Sequence, residues 1–267
     1  MISVTILTKN NEKRISQVLD ALSCFDQVLL FDTGSTDQTL SIAKKFPNVT
    51  IKLGTLQGFG PTHNLASELA KHDWILSIDS DEIVTKELAE EIRNLNLDPK
   101  NVYSISRKNL YNGKWIRWCG WHPDYQSKLY NKNSTRFSNA AVHESILLDG
   151  MRKVKLNAFL IHYSYESIYD FLDKMQSYST LFAMQNKGKK DSSPVKAVFH
   201  ALGTFFKCYL LKRGILGGYE GFLISAYNGH TAFYKYLKLY EANKLVSTRR
   251  CPEEKGAREN SWEENHL

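Results

Sequence analysis

Trp74-Ile75-Leu76-Ser77-Ile78-Asp79-Ser80-Asp81-Glu82 reads as a short buried strand, Trp74 to Ile78, that runs into three carboxylates within four positions. Two carboxylates at i and i+2, just past a strand end where the chain turns, can converge on one hard cation. A divalent ion held so loosely is usually completed by phosphate oxygens, which points to a nucleotide diphosphate as the ligand. The same residues also fit a plainer role. Glu82 could be a first-turn charge ahead of a helix through Thr85-Lys86-Glu87-Leu88.

Upstream, strand and helix alternate with short links. Ile2 to Leu7 is strand-like, and Asn11 can cap a helix from Glu12 whose apolar positions Ile15, Val18, Leu19 and Leu22 recur at helical spacing. Val28-Leu29-Leu30-Phe31 reads as a second strand and Val49-Thr50-Ile51 as a third; the loop Gly54 to Gly60 leads into a helix opened by Pro61. This order predicts an α/β fold with a parallel sheet, right-handed crossovers and ligands beyond the carboxyl ends of the strands. The polar residues expected there are Thr8, Asn10 and Glu12 after the first strand, Asp32 after the second, and Asp79 and Asp81 after the fourth. Asp32 also fits a turn ahead of Gly34, and Thr36 and Asp37 read as helix caps.

The chain has 267 residues, enough for one large α/β domain or a domain with an appendage. Cys24, Cys119, Cys208 and Cys251 are scattered, which argues against a disulfide scaffold or zinc site and fits a reducing cytoplasm. No basic and apolar leader is evident at the start, and no run reaches the roughly 18 apolar residues that span a bilayer. The net charge of +7 is moderate, so its location matters more than its size.

Four motifs in order resemble family 2 glycosyltransferases of the GT-A fold: Thr8-Lys9-Asn10-Asn11-Glu12, Phe31-Asp32-Thr33-Gly34-Ser35-Thr36-Asp37, Gly58-Phe59-Gly60-Pro61-Thr62-His63-Asn64 and Asp79-Ser80-Asp81-Glu82. Their order and spacing are similar to those of bacterial enzymes that build the lipopolysaccharide core, especially those that glucosylate an inner-core heptose. The resemblance implies a Rossmann-like, mostly parallel sheet flanked by helices, with a C-terminal helical extension. It also implies that Thr8, Asn10, Glu12 and Asp32 surround the uracil and ribose of a UDP-sugar, that Asn64 brings an amide near the donor, and that Asp79 serves the ribose and the cation. Asp81 is then the stronger ligand for manganese or magnesium. His162, after the late strand Val154 to Ile161, matches a further metal ligand, although a histidine bonded to the backbone is the usual alternative.

In the second half, Trp115, Trp118 and Trp121 crowd into a loop with Arg117. Indole faces suit sugar rings and Arg117 a phosphorylated sugar, and the resemblance implies a loop that shapes the sugar pocket here. Inversion at the anomeric carbon needs a base for the acceptor hydroxyl. Glu144 matches the family's acidic position, but relatives carry Glu-Asp where this chain has His143-Glu144, so His143 is the second candidate.

From Ser167 the pattern is helical. Pro194 opens a helix with a broad apolar face, Val195, Val198, Phe199, Leu202, Phe205 and Phe206, and with Lys196, Lys207, Lys212 and Arg213 nearby. Such a helix suits either an anionic membrane surface or packing against the rest of the protein; no nucleic-acid motif accompanies the charge. The expected organisation is a catalytic region over 1–165, a helical region over 166–246 and a polar tail over 247–267. The function implied is metal-dependent, inverting transfer of a hexose, glucose first, from its UDP form to a lipid-linked lipopolysaccharide core sugar such as heptose. The site expected for it is the inner face of the cell membrane, where the protein would be peripheral. A nucleotidyltransferase is the first rival, weakened by the lack of a glycine-rich phosphate loop after the first strand. A non-catalytic nucleotide-sugar-binding protein is the second.

Overall fold

The computed structural model describes residues 1–139 and 144–250, with side chains through residue 245. His143 therefore lies outside the described residues. The chain divides into two compact units, one of residues 1–115 and 121–164, the other of residues 116–120 and 165 onward.

The first unit is built on β1 (Ile2–Thr8), α1 (Ile15–Asp20), β2 (Gln27–Asp32), α2 (Thr39–Ala43), β3 (Val49–Leu53), α3 (Phe59–Leu69), β4 (Trp74–Asp79), β5 (Glu82–Val84), α4 (Lys86–Arg93), β6 (Asn101–Tyr111), β7 (Lys114–Trp115), β8 (Tyr125–Asn131) and β9 (Arg152–Tyr165). One sheet runs in the order β3-β2-β1-β4-β8-β6-β9-β5, with β7 paired to β6. The half read from the alternation, β3-β2-β1-β4, is parallel throughout. Beyond β4 the sheet turns antiparallel, because β8 pairs with β4 and with β6 in the opposite sense. No helix separates β6 from β8, so no parallel crossover can form there.

Alternating side chains sort the apolar residues onto two faces. Val28 and Leu30 of β2, with Leu76 and Ile78 of β4, join α1 and α4 in one core; Leu29, Phe31 and Ile75 join α3 residues Ala66 and Ala70 in another. Burial on both faces explains why these strands read as continuous apolar runs. Two local expectations differ from the fold. Helix α1 starts at Ile15, not Glu12, because Asn11 uses its carbonyl for the first turn and sends its amide to the Ser80 carbonyl. Glu82 opens a short strand, β5, with no solvent exposure, and the following helix α4 is capped by Thr85.

The second unit packs α5 (Ile168–Asn186) and α6 (Pro194–Phe206) against the long α7 (Gly218–Arg250). Ser167 and Asp170 form a reciprocal capping box at the start of α5, and Ser193 caps α6 ahead of Pro194. A ring stack of His200 on Tyr236, 3.8 Å between centroids, joins α6 to α7, and Phe171 meets Tyr227 at 4.6 Å between α5 and α7. Gly221 must be glycine, since a Cβ there would run into the Gly214 carbonyl. Helix α7 continues to Arg250, through the first four residues of the stretch expected as a polar tail from 247.

Candidate active site

The carboxyl ends of β1, β2 and β4 meet in a network of short loops. Asn10 adopts a left-handed backbone, φ 52°, and accepts the Thr36 N–H at 2.8 Å; Glu12 accepts the Gln38 N–H at 2.9 Å. These two residues staple the loop after β1 to the loop after β2. Asp32, 2% exposed, turns its carboxylate back into its own turn, accepting the N–H groups of Gly34 and Ser35 at 3.0 and 2.9 Å and the Ser35 hydroxyl. Asp37 holds the N–H and hydroxyl of Thr39. Thr8 is different: its hydroxyl is buried and meets no partner among the described residues.

Asn64, expected near the donor, is occupied elsewhere. Its Nδ2 donates to the Phe137 carbonyl at 3.0 Å and its Oδ1 accepts the Phe137 N–H at 2.9 Å. Both ends of the amide thus clamp helix α3 to the segment that leads toward Glu144.

Asp79 also departs from expectation. Its Oδ2 lies 2.8 Å from Lys128 Nζ of β8, and the same ammonium sits 2.8 Å from Glu82 Oε2. Lys128 is buried, so it needs counter-charges, and the strand end supplies them. Burial alone would raise the Asp79 carboxyl, but the Lys128 charge and hydrogen bond hold it well below the usual range. Glu82 is pushed upward by its own burial and by the Asp79 charge. Arg107 of β6 extends the network, reaching Glu82 at 3.4 Å and Asp124 at 2.8 Å.

Asp81 and His162 do come together, with Oδ2 and Nε2 3.5 Å apart. The ring's orientation is set from behind. Asn109 Nδ2 donates to the Trp121 carbonyl at 3.1 Å and to Asp124 Oδ2 at 3.0 Å, two pure acceptors, so its Oδ1 must be the atom 2.6 Å from His162 Nδ1. Nδ1 then donates, and in the neutral ring Nε2 presents a lone pair toward Asp81. A carboxylate oxygen and an imidazole nitrogen 3.5 Å apart, with the far ring nitrogen anchored, are two donors of the kind a divalent cation takes. Among the described residues no group of three His, Cys, Asp or Glu is arranged to hold a metal, and Asp79 faces Lys128 instead.

Beside this lies a cavity of about 280 Å³ whose lining includes His63, Asp79, Arg107, Gln126, Lys128 and Glu144. Glu144, 23% exposed, places Oε1 4.0 Å from His63 Nε2. Burial pushes the His63 imidazole down to about 4, against the upward pull of Asp79. It stacks on Phe137 at 4.5 Å, and its Nδ1 meets Ser77 Oγ at 3.3 Å. The wall is polar, concave and lined by a carboxylate that can accept a proton.

The tryptophan loop is not gathered at this cavity. Trp115 and Trp121 belong to the first unit, Trp115 meeting the His122 ring edge-on at 5.2 Å. Arg117 and Trp118 belong to the second, where Trp118 packs on Gly217. None of the four lines the cavity. Lys128, Arg107, Asn109 and Asp124 were not singled out as site residues from the sequence. For Lys128 the signal is the alternation of Tyr125 to Tyr130, which puts Gln126 and Lys128 on one face; Arg107, Asn109 and Asp124 lie outside that stretch.

A family model for glycosyl transferase family 2 matches residues 3–151. An uncharacterized glycosyltransferase of Rickettsia typhi is 30% identical over 255 residues, covering 90% of this chain and 87% of that protein. The poly(ribitol-phosphate) beta-N-acetylglucosaminyltransferase TarS of Staphylococcus aureus is 34% identical over 100 residues, 33% of this chain and 18% of its own length. The crystal structure of S. aureus TarS 1–349 in complex with UDP-GlcNAc aligns with a TM-score of 0.45 at 18% identity, covering 93% of this chain and 91% of that one. With the family model spanning more than half of its length and a relative matched almost end to end, the chain belongs to glycosyl transferase family 2.

Proposed function

We propose that this glycosyltransferase moves a hexose, glucose first, from its UDP form to a sugar of a lipid-linked lipopolysaccharide core, such as a heptose, with inversion. The reading rests above all on one observation: Glu144 and Asp79 line the same cavity, so a proton acceptor and a strand-end carboxylate of the donor side share one wall. The donor's uridine fits beyond the ends of β1 and β2, where the Thr8 hydroxyl is buried without a partner among the described residues and Asn10, Glu12 and Asp32 hold the loops. Asp79 lies toward the ribose, kept ionised by Lys128.

Glu144 takes the proton of the acceptor hydroxyl as that oxygen attacks the anomeric carbon and the bond to the diphosphate breaks. Asp81 and His162 would hold a manganese or magnesium ion, whose chemistry there would be to neutralise charge growing on the leaving diphosphate. Asn109 keeps the His162 ring aimed. Catalysis belongs to residues 1–165 and acceptor delivery at the inner membrane face to residues 166–246. Incubation of the purified protein with manganese and a panel of nucleotide sugars, with and without truncated lipopolysaccharide, tests this. Acceptor-stimulated UDP release from UDP-glucose supports it. Release from another donor alone replaces the sugar, and release of pyrophosphate refutes glycosyl transfer.

A further inference from the structure

The exposed face of the second unit has an inverted pattern. On α6, Val195, Phe199, Leu202 and Phe206 recur at helical spacing and are 64, 71, 50 and 52% exposed, while Ala197 on the inner side is fully buried. A helix on the surface of a soluble domain normally turns its apolar stripe inward. The stripe continues past the helix through Leu211, 79% exposed, and reaches the start of α7 at Phe222, 52% exposed, whose ring lies 6.1 Å from that of Phe205. The result is one apolar surface spanning two helices and the turns between them.

Charge decides what that surface meets. Residues 192–219 contain no Asp or Glu and four cations, Lys196, Lys207, Lys212 and Arg213, all exposed. That is more than half of the chain's net +7 in one stretch. A second copy of the chain, docked by the same face about a twofold axis, would set four cations against four, with Glu220 the one acid in the part of α7 that joins the face. No helix among the described residues is long and apolar enough to cross a membrane, so contact of this stripe with a bilayer would be along its surface. Apolar side chains facing out among four cations, with acids at the two ends of the stretch only (Asp191 and Glu220), match the boundary between anionic headgroups and acyl chains.

We propose that this face of α6, the following turns and the start of α7 is the element that docks the protein on an anionic lipid bilayer, with Phe199, Leu202, Phe206 and Leu211 entering the acyl boundary and the cations engaging headgroup phosphates. The inference rests on the peripheral-membrane part of the function proposed above but not on its sugar chemistry.

Flotation of the full chain with vesicles of phosphatidylglycerol and phosphatidylethanolamine, against pure phosphatidylcholine, tests it. The wild type is expected to float with the anionic vesicles and less so as salt rises. Phe199→Ser with Leu202→Ser, and separately Lys196→Glu with Lys207→Glu, each weaken binding roughly tenfold or more. All four positions are exposed, so circular dichroism should match the wild type. Absence of binding to anionic vesicles, or unchanged binding by both double variants, overturns the proposal. So does a wild-type dimer in sizing chromatography that the Phe199→Ser, Leu202→Ser variant loses, which would make a second copy the occupant. Transfer to a soluble acceptor is read in parallel: vesicle binding without transfer leaves the docking face standing and removes the enzymatic reading, and the reverse removes the docking face alone.

Discussion

Lys128 is the residue on which the interior charges depend. Its ammonium lies 2.8 Å from both Asp79 and Glu82, and the Glu82 side chain is 0% exposed against 8% for Lys128. Lys128→Met leaves the Glu82 carboxylate buried with the Asp79 N–H at 2.9 Å and Arg107 at 3.4 Å as its remaining partners and no close ammonium, so a loss of about 3–5 kcal/mol is expected in urea unfolding. A loss below about 1 kcal/mol would mean that water or Arg107 already neutralises Glu82. His63 gives a separate test through pH. Its folded value of about 4 lies below the ordinary 6.5, so between those limits only the unfolded chain takes the proton. Stability attributable to this group is therefore complete above pH 6.5 and falls as the pH drops toward 4, by up to about 3 kcal/mol. His63→Gln should flatten that part of a Tm-against-pH curve; an unchanged slope would assign the acid sensitivity to other groups.

Among the elements, the clamp between α3 and the segment before Glu144 governs geometry more than affinity. Asn64→Ala removes both hydrogen bonds to the Phe137 backbone. Turnover should fall at least tenfold, because a base displaced by about 1 Å loses its reach, while UDP affinity stays close to wild type. Weakened UDP binding with normal turnover would return Asn64 to the donor side, where sequence reasoning had put it. The contact with Phe137 has no local signature, because the two residues lie 73 positions apart. Glu82 was obscured in the same way, since an acidic residue before a helix looks solvent-facing until Lys128 and Arg107 arrive from β8 and β6. What was legible was what local chemistry dictates. Apolar runs marked the parallel strands β1 to β4, two of them (β2 and β4) running into carboxylates, and Pro194 marked the start of α6. The pairing of Asp81 with His162 was anticipated only through the family resemblance. The antiparallel half of the sheet had no such signature, and the periodicity of α6 is identical for an inward and an outward stripe.

Across the whole molecule, chemistry and charge are divided between the two compact units. The first carries the carboxylates, His63, His162 and the cavity; the second carries the acid-free basic stretch. Membership in glycosyl transferase family 2 fixes the reaction class, and Glu144 is the residue on which the proposed mechanism turns. Asp81→Ala should lose transfer by orders of magnitude with the fold intact, through the loss of one of the two groups aimed at the cation. The most direct measurement is acceptor-dependent UDP release by the full-length Glu144→Gln variant beside the wild type, with UDP binding and thermal unfolding followed on the same preparations. The amide cannot take the acceptor's proton, so turnover should fall by about 10²-fold or more while UDP affinity and Tm are retained. Turnover within a few-fold of wild type would contradict the assignment and move the base to another residue.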